Sequence, residues 1–159
     1  MEIVYKILKH PKYIKYMELN AEAERNRLFC KHDLQHAFDV ARVAYIMSLE
    51  KDLTIEKEII YATALLHDIA KWKQYMYGVD HASEGAILAR KILEDIGFVV
   101  KDVEEIMEAI STHRKKDMQK SILGEVLYES DKLCRPCVFC RSIDQCNRFT
   151  DGKKPEIKY

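Results

Sequence analysis

From Val99 through Val103, Ile106 and Ile110, apolar residues recur every three or four positions, and the same rhythm runs through Val40, Val43 and Met47 and again through Leu123 and Leu127. That period is helical, and no stretch alternates as a half-buried strand does. The stripes and their breaks predict seven helices, over about 2–10, 12–27, 33–50, 54–70, 81–96, 100–114 and 120–134. Pro11 parts the first two, Thr54 reads as an N-cap, Gly97 as a C-terminal stop, and Pro136 ends the last helix. The expectation is an all-α, single-domain bundle of about six or seven helices. It spans residues 1–135, with 136–159 as a cysteine-containing C-terminal segment packed on the same domain.

The stripes do not stay apolar. His36 is in line with Val40, Val43 and Met47; His81 with Gly85, Leu88 and Ile92; His113 with Ile106 and Ile110; Asp131 with Leu123 and Leu127. His67 and Asp68 close a segment containing Ile59, Ile60, Ala64 and Leu65. A buried imidazole or carboxylate is costly unless it is paired or bound to a metal. A single such histidine is ordinarily a hydrogen-bonded core residue. Four histidines and two aspartates on five helices instead suggest a coordination shell, and imidazole with carboxylate suits Fe, Mn, Co, Ni or Zn rather than Ca. Neighbours on an ideal helix point about 100° apart, and a helix end can relax that angle, so His67 and Asp68 could reach one centre there.

Composition narrows the classes. The 159 residues carry 26 basic and 26 acidic side chains, which gives no excess charge to suggest nucleic-acid binding or disorder. Charges interrupt the N-terminal MEIVYKILKHPKYIKYMEL, leaving no signal-peptide core, and no run approaches the roughly 18 apolar residues of a membrane span. The expected setting is cytoplasmic, without a membrane partner, and the five cysteines are expected as reduced thiols or metal ligands.

His36, then His67-Asp68 within ALLHDIAK, then Asp131 resemble the H…HD…D signature of the HD-domain superfamily of metal-dependent phosphohydrolases, over about residues 30–135. His81 and His113 are placed like the two extra histidines of branches that hold two metals. The resemblance implies an HD-type bundle and one or two divalent transition metals. His36, His67, Asp68 and Asp131 would hold the first, and Asp68 would bridge to a second completed by His81 and His113. It also implies attack by a metal-activated hydroxide on a phosphomonoester or phosphodiester, with a nucleotide as the most plausible small-molecule substrate. Asp68 would then be catalytic as bridge and orienter. Lys71, in the HDxxK pattern, would meet phosphate or the bridging solvent, unless it is an ordinary cation at a helix C-terminus. Arg114 and Lys115, with Lys116, are candidate phosphate-steering charges or plain solvated surface. His32 is open between a further ligand, an orienter, a phosphate contact and a solvated side chain; His10 receives no role. The GYP motif of the cyclic-dinucleotide branch is absent. The alternative function is a catalytically silent metal- and nucleotide-binding HD module with a regulatory role.

A second cluster lies in CRPCVFCRSIDQC, where Cys134, Cys137, Cys140 and Cys146 give C-x2-C-x2-C-x5-C. Such spacing suits a structural zinc or an iron–sulfur cluster. Cys137, Cys140 and Cys146 are the preferred ligands, with either Cys30 or Cys134 as the fourth; the plain alternative is a set of free thiols.

Overall fold

The computed structural model describes residues 1–149, 152 and 154–159, and among these it contains eight α-helices and no strand. They are α1 (Glu2–Lys9), α2 (Pro11–Ala23), α3 (Leu34–Glu50), α4 (Lys57–Leu66), α5 (Lys71–Tyr77), α6 (His81–Asp95), α7 (Val100–Thr112) and α8 (Ile122–Leu133). Short 3-10 turns follow at Lys116–Met118, Cys137–Phe139 and Ile143–Gln145. The all-α expectation holds.

The local chemistry of the helix starts is plain. Asp33, Asp80 and Ser121 cap α3, α6 and α8, accepting from the backbone N–H groups of His36, Ser83 and Gly124. His10 accepts from Lys12 N at 3.2 Å and so caps α2, with Pro11 in its first turn. Gly97, at φ +78°, takes the left-handed conformation that lets the chain leave α6. Thr54 does not cap α4. That helix begins at Lys57, after Glu56, whose side chain makes no capping bond.

α4 is the central element, touching α1, α3, α6, α7 and α8. Seven of its ten residues, from Ile59 to Leu66, are buried, as expected for a helix covered on several sides. α6 and α7 pack side by side, and α3 and α8 flank α4. Gly85 lets α6 approach the turn after α4: a Cβ there would lie 3.2 Å from the His67 carbonyl oxygen and 3.6 Å from Ile110.

Two boundaries depart from the sequence expectation. α2 ends at Ala23 because the chain turns at Glu24, whose carboxylate is buried. The helix expected to continue to about 70 stops at Leu66; residues 67–70 form a turn, and α5, which the hydrophobic stripes do not reveal, begins at Lys71. α5 is seven residues long and has no buried residue, so it carries no stripe to read.

The C-terminal segment contacts the helices through Ser142 Oγ, which donates to Leu28 O, and Arg148, which donates to Lys132 O. No helix among the described residues is long and apolar enough to cross a membrane.

Candidate metal centre

The six sequence-selected donors all sit at helix ends. His36 is in the first turn of α3, His67 and Asp68 are in the turn after α4, His81 opens α6, His113 follows α7, and Asp131 lies in the last turn of α8. Stripes of aliphatic side chains bury the helix bodies, so their ends meet at one place. There the atoms fall into two groups, His36–His67–Asp68–Asp131 and Asp68–His81–His113, each with donor atoms within 4.8 Å of one another.

Asp68 belongs to both groups, and its two oxygens divide between them. Oδ2 lies 2.9 Å from His67 Nε2 and 3.7 Å from His36 Nε2. Oδ1 faces His81 Nε2 at 3.1 Å and His113 Nε2 at 3.6 Å. Asp131 Oδ1 closes the first group, 3.2 Å from His36 Nε2 and 3.9 Å from His67 Nε2.

The imidazoles are held from behind. His67 Nδ1 is 2.7 Å from Ala64 O, His113 Nδ1 is 2.6 Å from Ile110 O, and His81 Nδ1 is 2.6 Å from Gln74 Oε1. An Nδ1–H donated to a carbonyl leaves Nε2 with its lone pair directed at the centre, the arrangement that orients metal-bound histidines. His36 differs, its Nδ1 lying 3.8 Å from Cys134 Sγ.

The donors fit a divalent metal on the structure's own terms. His67 Nε2 and Asp68 Oδ1 are buried without a hydrogen-bond partner, although both have close neighbours. Their nearest polar contacts, at 2.9 and 3.1 Å, are ion-pair distances that do not count as hydrogen bonds. Likewise, His81 and His113 bring their Nε2 atoms to 3.3 Å. Buried, orphaned lone pairs directed at a common point are what a cation satisfies.

The electrostatics agree. Burial alone would raise Asp68, but the surrounding imidazoles, His67 and His32 foremost, hold it well below the usual carboxylate range. Asp131 is likewise held low, burial being outweighed by His36 and Arg135. Burial pushes His81 down to about 4 despite Asp68, so its ring is neutral at physiological pH. Burial lowers His36 too, but Asp131 and Asp68 raise it to about 11. A metal taking His36 must therefore displace a proton.

Several residues at the centre were not legible in the sequence. Asn20, buried in the last turn of α2, donates from Nδ2 to Asp68 O at 3.0 Å and accepts from Trp72 N at Oδ1, 2.8 Å away. It therefore ties both sides of the His67–Ala70 turn. Its one sequence signal is a poor helix former in a helical stretch. Glu24 is buried, accepts from His32 N at 2.7 Å and Tyr75 Oη at 2.7 Å, and meets His32 Nδ1 at 2.5 Å. His32 is consequently buried rather than solvated, with Nε2 3.8 Å from Asp68 Oδ2. Burial lowers the pKa of His32 against the pull of Asp68 and Glu24, while Glu24 is held at about 2 against burial chiefly by its hydrogen bond with His32. Arg135 donates from Nη2 to Asp131 Oδ1 at 2.6 Å and lies 3.4 Å from His36 Nε2, on the flank of the first group.

Lys71 sits at the N-terminus of α5, not at a helix C-terminus, so it is not a cation stabilised by a helix dipole. Its Nζ lies 3.3 and 3.5 Å from the two ring nitrogens of His81 and 3.9 Å from Asp68 Oδ1, and burial lowers its pKa. Arg114 is ion-paired with Asp80, and Lys115 is exposed; neither contacts the donors among the described residues. A small pocket bordered by His32, His36, His67 and Asp68 shares Met17, His32 and Asp33 with a larger cleft of about 590 Å³, whose walls include Tyr13 and Lys31.

Comparison with known proteins agrees with this geometry. The family model described as the HD domain matches residues 33–135. An uncharacterized protein of Clostridium beijerinckii is 40% identical over 153 residues, covering 96% of each chain. Ribonuclease Y of Oleidesulfovibrio alaskensis is 30% identical over 124 residues, which are 78% of this chain and 21% of that protein. Ribonuclease Y of Acetivibrio thermocellus is 31% identical over 100 residues, 63% of this chain and 17% of that protein. The chain thus spans about a fifth of those nucleases. A solved structure of a predicted HD superfamily hydrolase from an uncultured Thermotogales bacterium superposes with a TM-score of 0.60 at 30% identity, over 76% of this chain and 66% of that one.

Proposed function

Because the chain belongs to the HD-domain family of metal-dependent phosphohydrolases, we propose that it hydrolyses a phosphomonoester or phosphodiester, with nucleotides as its substrate class. The observation that carries the reading is Asp68: one buried carboxylate divides its oxygens between two histidine groups, as a bridge between two cations requires. His36, His67, Asp68 and Asp131 would hold one divalent metal, and Asp68, His81 and His113 a second. When bound, such ions lower the pKa of water and polarise a phosphoryl oxygen.

The chain's own residues do the rest. Ala64 O, Ile110 O and Gln74 fix three imidazoles, so the donors are preorganised before substrate arrives. Lys71, partly desolvated beside His81 and Asp68, supplies a positive charge at the edge of the second group, placed for a non-bridging phosphate oxygen. His32, fixed by Glu24, turns Nε2 toward the first group. The cleft that shares His32 offers Tyr13 and Met17 as apolar walls for the organic part of the ester and Lys31 as a cation at its edge.

The test is a panel of nucleotides and phosphodiesters, assayed with Mn, Co or Fe, on the wild type and Asp68→Ala. The reading expects release of phosphate or nucleoside by the wild type and loss of at least about 10³-fold in Asp68→Ala, since one residue serves both groups. Full turnover by Asp68→Ala would overturn it. Thermal stabilisation by nucleotide without any product would favour a silent binding module.

A further inference from the structure

The centre described above draws on one of the five cysteines. Cys134 Sγ is engaged by His36 Nδ1 at 3.8 Å and by Asp131 O at 3.6 Å. The other four, Cys30, Cys137, Cys140 and Cys146, line a single cleft of about 400 Å³. Three of them also border the adjoining cleft that holds Cys134. Cys146 faces only the first, and Cys134 is drawn away toward His36. Sequence spacing left Cys30 and Cys134 as equal candidates, and the fold separates them.

The backbone presents these thiols in an ordered way. The two 3-10 turns of the C-terminal segment each end on a cysteine: Cys140 N donates to Cys137 O at 3.1 Å, and Cys146 N donates to Ile143 O at 3.0 Å. Cys30 comes to the same cleft from the loop between α2 and α3. All four are free and partly exposed to the cleft.

Space decides what they hold. A mononuclear zinc site draws its sulfurs to about 2.3 Å from the ion, and so to about 4 Å from one another. The His and Asp donors of the neighbouring centre are already gathered within 4.8 Å, whereas among the described residues no three thiol sulfurs are. The cysteines ring an open volume instead of closing on a point. An iron–sulfur cluster brings its own bulk of iron and sulfide and needs four thiolates at the corners of such a ring. Arg27, Arg135 and Arg148 line the cleft and would offset the charge of bound thiolates. Arg148 Nη1 is 3.8 Å from Cys137 Sγ. Arg135 lines the same cleft as Cys30 and donates to Asp131 on the side of the His/Asp centre.

We propose that Cys30, Cys137, Cys140 and Cys146 bind an iron–sulfur cluster, which fastens the C-terminal segment to the α2–α3 loop. Arg135 lies between this cluster and Asp131, so the two inorganic sites share one guanidinium.

The full chain, purified anaerobically and supplied with ferrous iron and sulfide, provides the test. Iron, acid-labile sulfide and zinc are counted, and visible absorption is recorded before and after reduction. The expected result is about two to four labile sulfides per chain, with a visible band that bleaches on reduction. Cys30→Ala and the double variant Cys137→Ala/Cys140→Ala are expected to lose roughly tenfold or more of that sulfide, while Cys134→Ala retains it. Far-UV circular dichroism checks that each variant folds; if the double variant does not, wild-type sulfide content and the Cys30/Cys134 pair decide. Zinc without labile sulfide, no thiolate-bound metal, or a cluster that needs Cys134 and survives loss of Cys30 would each overturn the assignment.

Discussion

Asn20 ties α2 to the turn that carries His67 and Asp68, and its removal has a cost that can be worked from its two bonds. In Asn20→Ala, Asp68 O loses one donor but keeps Lys71 N at 3.0 Å, so that loss is worth about 1 kcal/mol. Trp72 N, in the first turn of α5, loses its acceptor at Asn20 Oδ1, 2.8 Å away, and is left without one in a partly buried position. An unsatisfied backbone donor of that kind costs about 1–3 kcal/mol. The sum is about 2–4 kcal/mol, or roughly 5–15 °C in Tm for a domain of this size. Urea titration of the metal-free protein measures it as a lower midpoint at unchanged slope. Metal affinity is expected to fall as well, because the freed turn no longer pins Asp68 against His67. In Asn20→Asp the carboxylate still accepts from Trp72 N but cannot donate to Asp68 O, and it adds a negative charge behind the turn; it should therefore not restore wild-type stability. A loss below about 0.5 kcal/mol in Asn20→Ala, with metal affinity intact, would refute the claim that this side chain holds the turn.

Two other outcomes follow from particular contacts. Lys71→Met is expected to lower kcat by about 10²-fold or more while leaving metal content unchanged, because Lys71 lies beside His81 without being a donor in either group; an equal fall in bound metal would instead mark it as structural. Glu24, held at about 2 in the folded protein against an ordinary 4.5, contributes stability that is fully present above about pH 4.5 and disappears as pH falls through about 2. Glu24→Gln should flatten acid destabilisation across that window by on the order of 3 kcal/mol, read from urea midpoints at successive pH values; parallel curves for wild type and variant would show that the bond to His32 is not formed.

The periodicity of apolar residues was enough to predict an all-α bundle and to locate most of its helices. The reason is that α3, α4, α6, α7 and α8 owe their burial to stripes that the sequence displays directly. The six candidate donors, which the fold does bring together, were legible for the same reason: each lies in register with a stripe, where an unpaired polar group is anomalous. α5 was not legible, since a helix with no buried residue carries no stripe.

What only the tertiary structure decided is how groups distant in sequence meet. Asn20 and Glu24 look like ordinary polar residues of an amphipathic helix, and nothing local marks them as buried supports of Asp68 and His32, 48 and 8 residues away. Arg135 reads as a cation after a helix, yet it bonds Asp131 and lines the cleft of the cysteines. The division of Asp68's oxygens between two histidine groups, and the separation of Cys30 from Cys134, likewise depend on where helix ends converge. Period and composition encode which face of a helix is buried, because that is a property of each segment. Which atoms then face one another depends on how the segments pack together, and that appears only when the chain is folded.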